Sequence, residues 1–144
     1  AWEHYSADVT RTIPVSGTFS AREKELYELV LKASNAAIRQ VKPGADYYND
    51  VHMTAKKILD DAGYGQYFIH GTGHFLGLDV HDAGDYELPL QAGVVITVEP
   101  GIYIPEEGIG IRIEDDILVT RGGPVLLSKD IPRTVEDIER TMAE

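Results

Sequence analysis

The stretch Gly93-Val-Val-Ile-Thr-Val-Glu99-Pro-Gly101-Ile-Tyr103-Ile-Pro-Glu-Glu-Gly108-Ile-Gly-Ile-Arg112-Ile-Glu114-Asp-Asp116-Ile-Leu-Val-Thr120 decides how this chain folds. Its β-branched richness and period-two alternation read as strand, because alternate side chains point to opposite faces of a sheet. The spacing predicts one strand from Val94 to Glu99, stopped by Pro100-Gly101, and a second strand region from Gly108 to Thr120. In the second, Ile111, Ile113 and Ile117 share one face, while Arg112, Glu114 and Asp116 share the other. Val125 to Leu127 adds an edge strand, and Thr134 with Asp137 caps a short C-terminal helix.

Upstream, residues 5 to 15 alternate and read as a strand with Asp8, Thr10 and Thr12 on one face. Ser20 with Glu23 three residues on forms a capping box. Leu26, Leu29, Val30, Ala33, Ala37 and Val41 then recur at helical spacing until Pro43-Gly44 ends the run. A second helix runs from Asp46 through Val51, Ala55, Ile58 and Leu59 to Gly63. Without strict βαβ alternation, the expected class is α+β, with helices on one face of a mixed, largely antiparallel sheet.

At 144 residues the chain has the length of one domain. Thirteen Lys and Arg against 24 Asp and Glu give a formal charge of −11, which argues against a nucleic-acid partner. The longest apolar stretch falls far short of the roughly 20 residues that a membrane span needs, so no membrane partner is expected. With no cysteine, disulfides, thiolate metal sites and cysteine nucleophiles are excluded, and a cytoplasmic setting is expected.

From Gly63 onward glycine interrupts every periodicity, and three histidines fall within twelve residues, in His70-Gly-Thr-Gly-His74 and Asp79-Val-His81-Asp82. One histidine is usually a hydrogen-bonded structural residue; three in a glycine-rich span point to catalysis or metal binding. His4 and His52 lack that context and are read as surface or packing residues. Taken singly, Asp8, Glu99 and Glu114 are exposed strand residues, but apolar residues claim one face of each strand and crowd the three acids onto the other. No Gly-x-Ser-x-Gly elbow, phosphate-binding Gly-Lys-Ser/Thr loop or His-Glu-x-x-His helix is present. What remains is a carboxylate-rich site with imidazoles. Such acids repel unless cations neutralise them, and oxygen-rich donors suit Mn²⁺, Mg²⁺ or Co²⁺ better than a structural zinc. Carboxylates that bridge two ions make hydrolytic machinery.

His70 to Asp82, Thr97-Val-Glu-Pro-Gly-Ile-Tyr103 and Gly110-Ile-Arg-Ile-Glu-Asp-Asp116, preceded by Ser6-Ala-Asp-Val-Thr-Arg-Thr12, resemble the catalytic domain of the Xaa-Pro aminopeptidase and prolidase family. The resemblance runs the length of the chain, in order. It implies a pita-bread fold holding two divalent ions, usually manganese or cobalt, and hydrolysis of the bond preceding proline by a metal-bridging hydroxide. Residue by residue, Asp8 and Glu114 resemble the two bridging carboxylates, with His74 and Glu99 completing one ion's ligands. Glu99 also resembles the proton shuttle to the departing nitrogen. His81 resembles the imidazole that steadies the scissile carbonyl, His70 one that lines the substrate pocket, and Arg112 a partner that orients Glu114.

The family pattern has one further ligand, an Asp in an Asp-x-Gly motif before the position of Asp8, and the only acid before Asp8 is Glu3. The expectation is that residues 1–144 are the C-terminal part of a catalytic domain, binding at most one ion tightly and impaired as a peptidase. Proline-containing peptides are the expected partners, and the family suggests a homo-oligomer. The stretch from Val94 through Glu114 and the ending Leu127 to Glu139 resemble bacterial aminopeptidase P more than prolidase. A non-catalytic peptide-binding module and a metal-free creatinase-like enzyme are the rivals, both opposed by the intact carboxylate set.

Overall fold

The computed structural model describes residues 3–144. Its helical layer follows the apolar spacing closely. Helix α1 spans Ala21–Ile38, with Ser20 accepting from the Glu23 amide and Glu23 reaching back to the Ser20 amide, so both halves of the capping box form. Leu26, Tyr27, Val30, Ala33 and Ala37 are fully buried along its inner stripe. A π-helical turn, Tyr47–His52, capped by Asp46, leads into α2, Met53–Asp61. Gly63, at a φ of 84° that strains any other residue, ends that run. Helix α3, Val135–Met142, begins at Thr134, whose hydroxyl accepts from the Asp137 amide at 3.1 Å.

The strands are β1 (Val95–Val98), β2 (Gly101–Ile104), β3 (Ile109–Arg112), β4 (Asp115–Thr120) and β5 (Gly123–Leu126). β1, β4 and β5 form one antiparallel sheet in the order β1-β4-β5, and β2 pairs antiparallel with β3. The first expected strand is β1, which ends before Pro100 as predicted, and the expected strand region from Gly108 to Thr120 divides into β3 and β4, interrupted at residues 113 and 114. Both halves of a long hairpin bend together: Val98 pairs with Asp115 and Gly101 with Arg112, so at the bend Glu99 lies across from Glu114. Pro100 has no amide to give a ladder, and the Glu114 amide turns away to the Thr10 carbonyl at 3.1 Å.

The expected strand over residues 5 to 15 is corrected: these residues form no named strand, and Val15 lies in a turn. Side chains replace most of the ladder. The Thr12 hydroxyl donates to the Arg112 carbonyl and accepts from the Arg112 amide, both at 3.1 Å, and Asp116 Oδ2 accepts from the Asp8 amide at 3.3 Å. The alternation places Asp8, Thr10 and Thr12 on one face, and the Thr10 and Thr12 hydroxyls both reach residues 112–116, bonding Glu114 and Arg112. Ile96, Val98, Ile102, Ile111, Ile113, Ile117 and Val119 are buried against the helices in one core.

Candidate metal centre

Four neighbouring segments each bring one side chain to the bend. Segment 8–12 lies beside 112–116, held by the Glu114 amide to Thr10 carbonyl bond; 112–116 faces 97–101 across the hairpin; and 97–101 is flanked by residues 72–76. That last contact runs through the Thr97 amide to His74 O (2.8 Å), the Glu99 amide to Thr72 O (2.6 Å) and the Leu76 amide to Val95 O (3.0 Å). The approach is so close that a Cβ on Gly73 would sit 1.9 Å from the Thr97 carbonyl oxygen. This is the physical reason for glycine between His70 and His74.

Asp8, Glu114, Glu99 and His74 meet there. His74 Nε2 lies 3.4 Å from Asp8 Oδ2, 3.7 Å from Glu99 Oε1 and 4.0 Å from Glu114 Oε1. Ligand atoms of Asp8, His74 and Glu114 all fall within 4.8 Å of one another. The His74 amide donates to Thr97 Oγ1 at 2.9 Å, and Nδ1 sits 3.0 Å from the Phe75 carbonyl. A proton on Nδ1, donated to that carbonyl, leaves the Nε2 lone pair facing the carboxylates. Burial pushes the Glu99 and Glu114 carboxyls above their usual range, and the charges of Glu99 and Asp8 add to the push on Glu114. Burial likewise raises Asp116 to about 6, and its Oδ1 is buried with no hydrogen-bond partner among the described residues.

The donor set fits a divalent cation. Three carboxylates and an available imidazole nitrogen converge, and the arrangement places negative charge where desolvation is costly unless a cation offsets it. Oxygen donors with one nitrogen match Mn²⁺, Co²⁺ or a catalytic zinc.

The other expected residues line an open cleft of about 490 Å³ beside this cluster, together with Ile69, Gly71 and Gly73. The His81 ring lies 4.0 Å from that of His74. His70 Nε2 and Arg112 Nη1 both reach the Tyr103 hydroxyl, each at 3.1 Å. Burial holds His70 below its usual pKa, favouring its neutral form. Arg112 differs from expectation: its Nε approaches Glu99 Oε2 at 3.9 Å and Thr10 Oγ1 at 3.4 Å, whereas the group bonded directly to Glu114 is the Thr10 hydroxyl. Thr10 and Tyr103 were not singled out by sequence. His52 packs as expected, with Nδ1 2.9 Å from Thr72 Oγ1, and His4 is exposed.

Carboxylates and an imidazole converging beside an open cleft are the donor set of a divalent-metal site. Residues 1–121 match the model of metallopeptidase family M24, and the chain belongs to that family. It is 41% identical to a Xaa-Pro aminopeptidase of Haemophilus influenzae, over 96% of this chain and 39% of that protein. Its fold superimposes on a putative aminopeptidase P from Bacillus anthracis with a TM-score of 0.92 and 47% identity, over 97% of this chain and 36% of the other. The prolidase from Pyrococcus furiosus gives 0.81 and 42%, over 88% and 38%. The fold is therefore pita-bread, and the chain spans about two fifths of the length of the curated relative. No helix among the described residues is long and apolar enough to cross a membrane.

Proposed function

We propose that this chain is the C-terminal part of the catalytic domain of an Xaa-Pro aminopeptidase, a peptidase that releases the residue preceding proline. The observation that carries the reading is the convergence of Asp8, Glu114, Glu99 and His74 at the mouth of a cleft lined by His70, His81, Tyr103 and Arg112. Asp8 and Glu114 would bridge two ions, with His74 and Glu99 on one of them, and manganese is the metal we favour. Bound there, such ions supply Lewis acidity and an acidified water.

The chain's own groups divide the remaining work. Glu99, half-buried and raised in pKa, is suited to take a proton and return it to a departing nitrogen, with Arg112 near its other oxygen steadying its charged form. His81 stands exposed with its ring against that of His74, placed to donate to a substrate oxygen. His70 and Arg112 share the Tyr103 hydroxyl, which fixes all three as one wall for the proline side of a peptide. A Cβ on Gly101 would crowd this wall, lying 3.0 Å from the Tyr103 hydroxyl and 3.2 Å from His70 Nε2.

The test is substrate length. Hydrolysis of Xaa-Pro-Xaa tripeptides by the longer protein is the expected result, and cleavage confined to Xaa-Pro dipeptides makes it a prolidase, the reading that the likeness to the Pyrococcus enzyme supports. A protein that binds such peptides without cleaving them is the non-catalytic module instead. A cytoplasmic setting and self-association complete the proposal; exposed Ile13, Val15, Leu127 and Ile131 supply apolar surface for the latter.

A further inference from the structure

The two carboxylates read as bridging, Asp8 and Glu114, stand on segments that no regular strand ladder joins, so something else must hold their spacing. The geometry points to Arg11 as the positioning residue that sets it. Arg11 spends its donors on four acceptors: Nη1 on the Thr10 carbonyl (2.9 Å) and the Glu114 carbonyl (2.6 Å), Nη2 on Asp115 Oδ1 (2.6 Å), and Nε on the Pro132 carbonyl (2.7 Å). One planar fork thus ties the backbone of the Asp8 segment to the backbone of Glu114 itself. It does so from the side opposite the metal cluster, since Arg11 has the reverse parity to Asp8, Thr10 and Thr12.

Asp115 makes the clamp rigid. Its side chain is wholly buried, and it accepts from Ser128 Oγ (2.6 Å) and Arg133 Nε (2.5 Å) as well as from Arg11. A buried acid between two arginines is weak evidence for stability, because desolvation offsets much of the attraction. Its use here is specificity of register. Slippage of residues 8–12 by one position would turn Asp8 away from Glu114, and the Arg11 fork fits only one alignment. Lysine cannot reproduce it, having a single point charge in place of a fork.

Arg133 provides the control. It is buried against the same aspartate, but its other donors go to Asn35 Oδ1 and Ser34 Oγ on α1, away from residues 8–12. The inference rests on the metal-site reading above, and two readouts separate their failures: Mn²⁺ titration by calorimetry, and hydrogen exchange at the Glu114 amide in the metal-free chain. Arg11→Met is expected to weaken Mn²⁺ binding about 10- to 100-fold, the usual cost of losing a partner that orients a ligand, and to speed exchange at Glu114. Arg133→Met loses comparable burial and one partner of Asp115 but no bond to residues 8–12 or to Glu114, and is expected to change both far less than Arg11→Met. Arg11→Lys behaves as Arg11→Met, and it decides the matter alone should Arg11→Met not fold. Unchanged affinity and exchange in a folded Arg11 variant, or equal losses in the Arg11 and Arg133 variants, would overturn the proposal. If the unsubstituted chain binds no Mn²⁺, the metal reading fails, and exchange at Glu114 still judges the clamp.

Discussion

The helical layer and the metal edge of this molecule are held together by different means. In α1 and α2 the backbone satisfies itself, and stability comes from an apolar stripe, Leu26 to Leu59, sealed against the isoleucine face of the sheet. At the metal edge the extended segment 8–12 has few ladder bonds, and residues 72–76 touch β1 through glycine-permitted close approach. Hydroxyls, carboxylates and one guanidinium stand in for the missing ladder. The lesson is that the first region tolerates any change that keeps volume and period, whereas the second depends on individual polar atoms.

Substitutions can break that contrast. The largest expected stability loss belongs to the helical layer: Leu26→Ala, at a fully buried position, should cost roughly 2–5 kcal/mol in denaturant unfolding. Divalent-metal affinity of the folded fraction should not change. Gly73→Ala comes next, because its Cβ would lie 1.9 Å from the Thr97 carbonyl oxygen and the backbone must give way, at about 1–3 kcal/mol. Unlike Leu26→Ala, it should also weaken metal binding by shifting His74. Ser20→Ala, which removes the α1 cap, should cost about 1 kcal/mol with no effect on metal. Lys57→Ala removes an exposed i,i+4 pair with Asp61 and should change stability by less than about 0.5 kcal/mol. A Ser20 or Leu26 variant that lost metal affinity while folded would show the two regions to be coupled after all.

The same contrast explains what the sequence disclosed. Helices with a stripe and a cap are legible because period and chemistry coincide, as at Ser20, Glu23 and Leu26. The alternation of residues 5 to 15 correctly set the facing of Asp8 but not the pairing, because hydroxyl-to-backbone bonds leave no periodic trace. Pro100-Gly101 reads as a stop and does end β1, but antiparallel pairing resumes at Gly101 in β2, so that Glu99 lies across from Glu114. The candidate ligands came from a resemblance spread over the whole chain; in the structure Asp8, His74 and Glu114 have ligand atoms within 4.8 Å of one another, and Glu99 lies 3.7 Å from His74. Arg11 escaped notice although it lies within the quoted motif, and Thr10 was placed on the face of Asp8 without a role. A signal for the clamp was present: Asp115 shares the parity of Ile111, Ile113 and Ile117, which puts an acid on the core face and calls for buried cations.

The central claim, that side chains from four chain segments assemble a divalent-metal site, is tested most directly by calorimetric titration of Mn²⁺ into this chain and into Glu114→Gln. The account predicts that the unsubstituted chain binds Mn²⁺. The Gln variant, folded and as stable when metal-free because it gives up only a repelled buried charge, should lose at least the roughly 100-fold that removing a mere orienting partner can cost. Equal affinity of the two proteins for Mn²⁺ would contradict it.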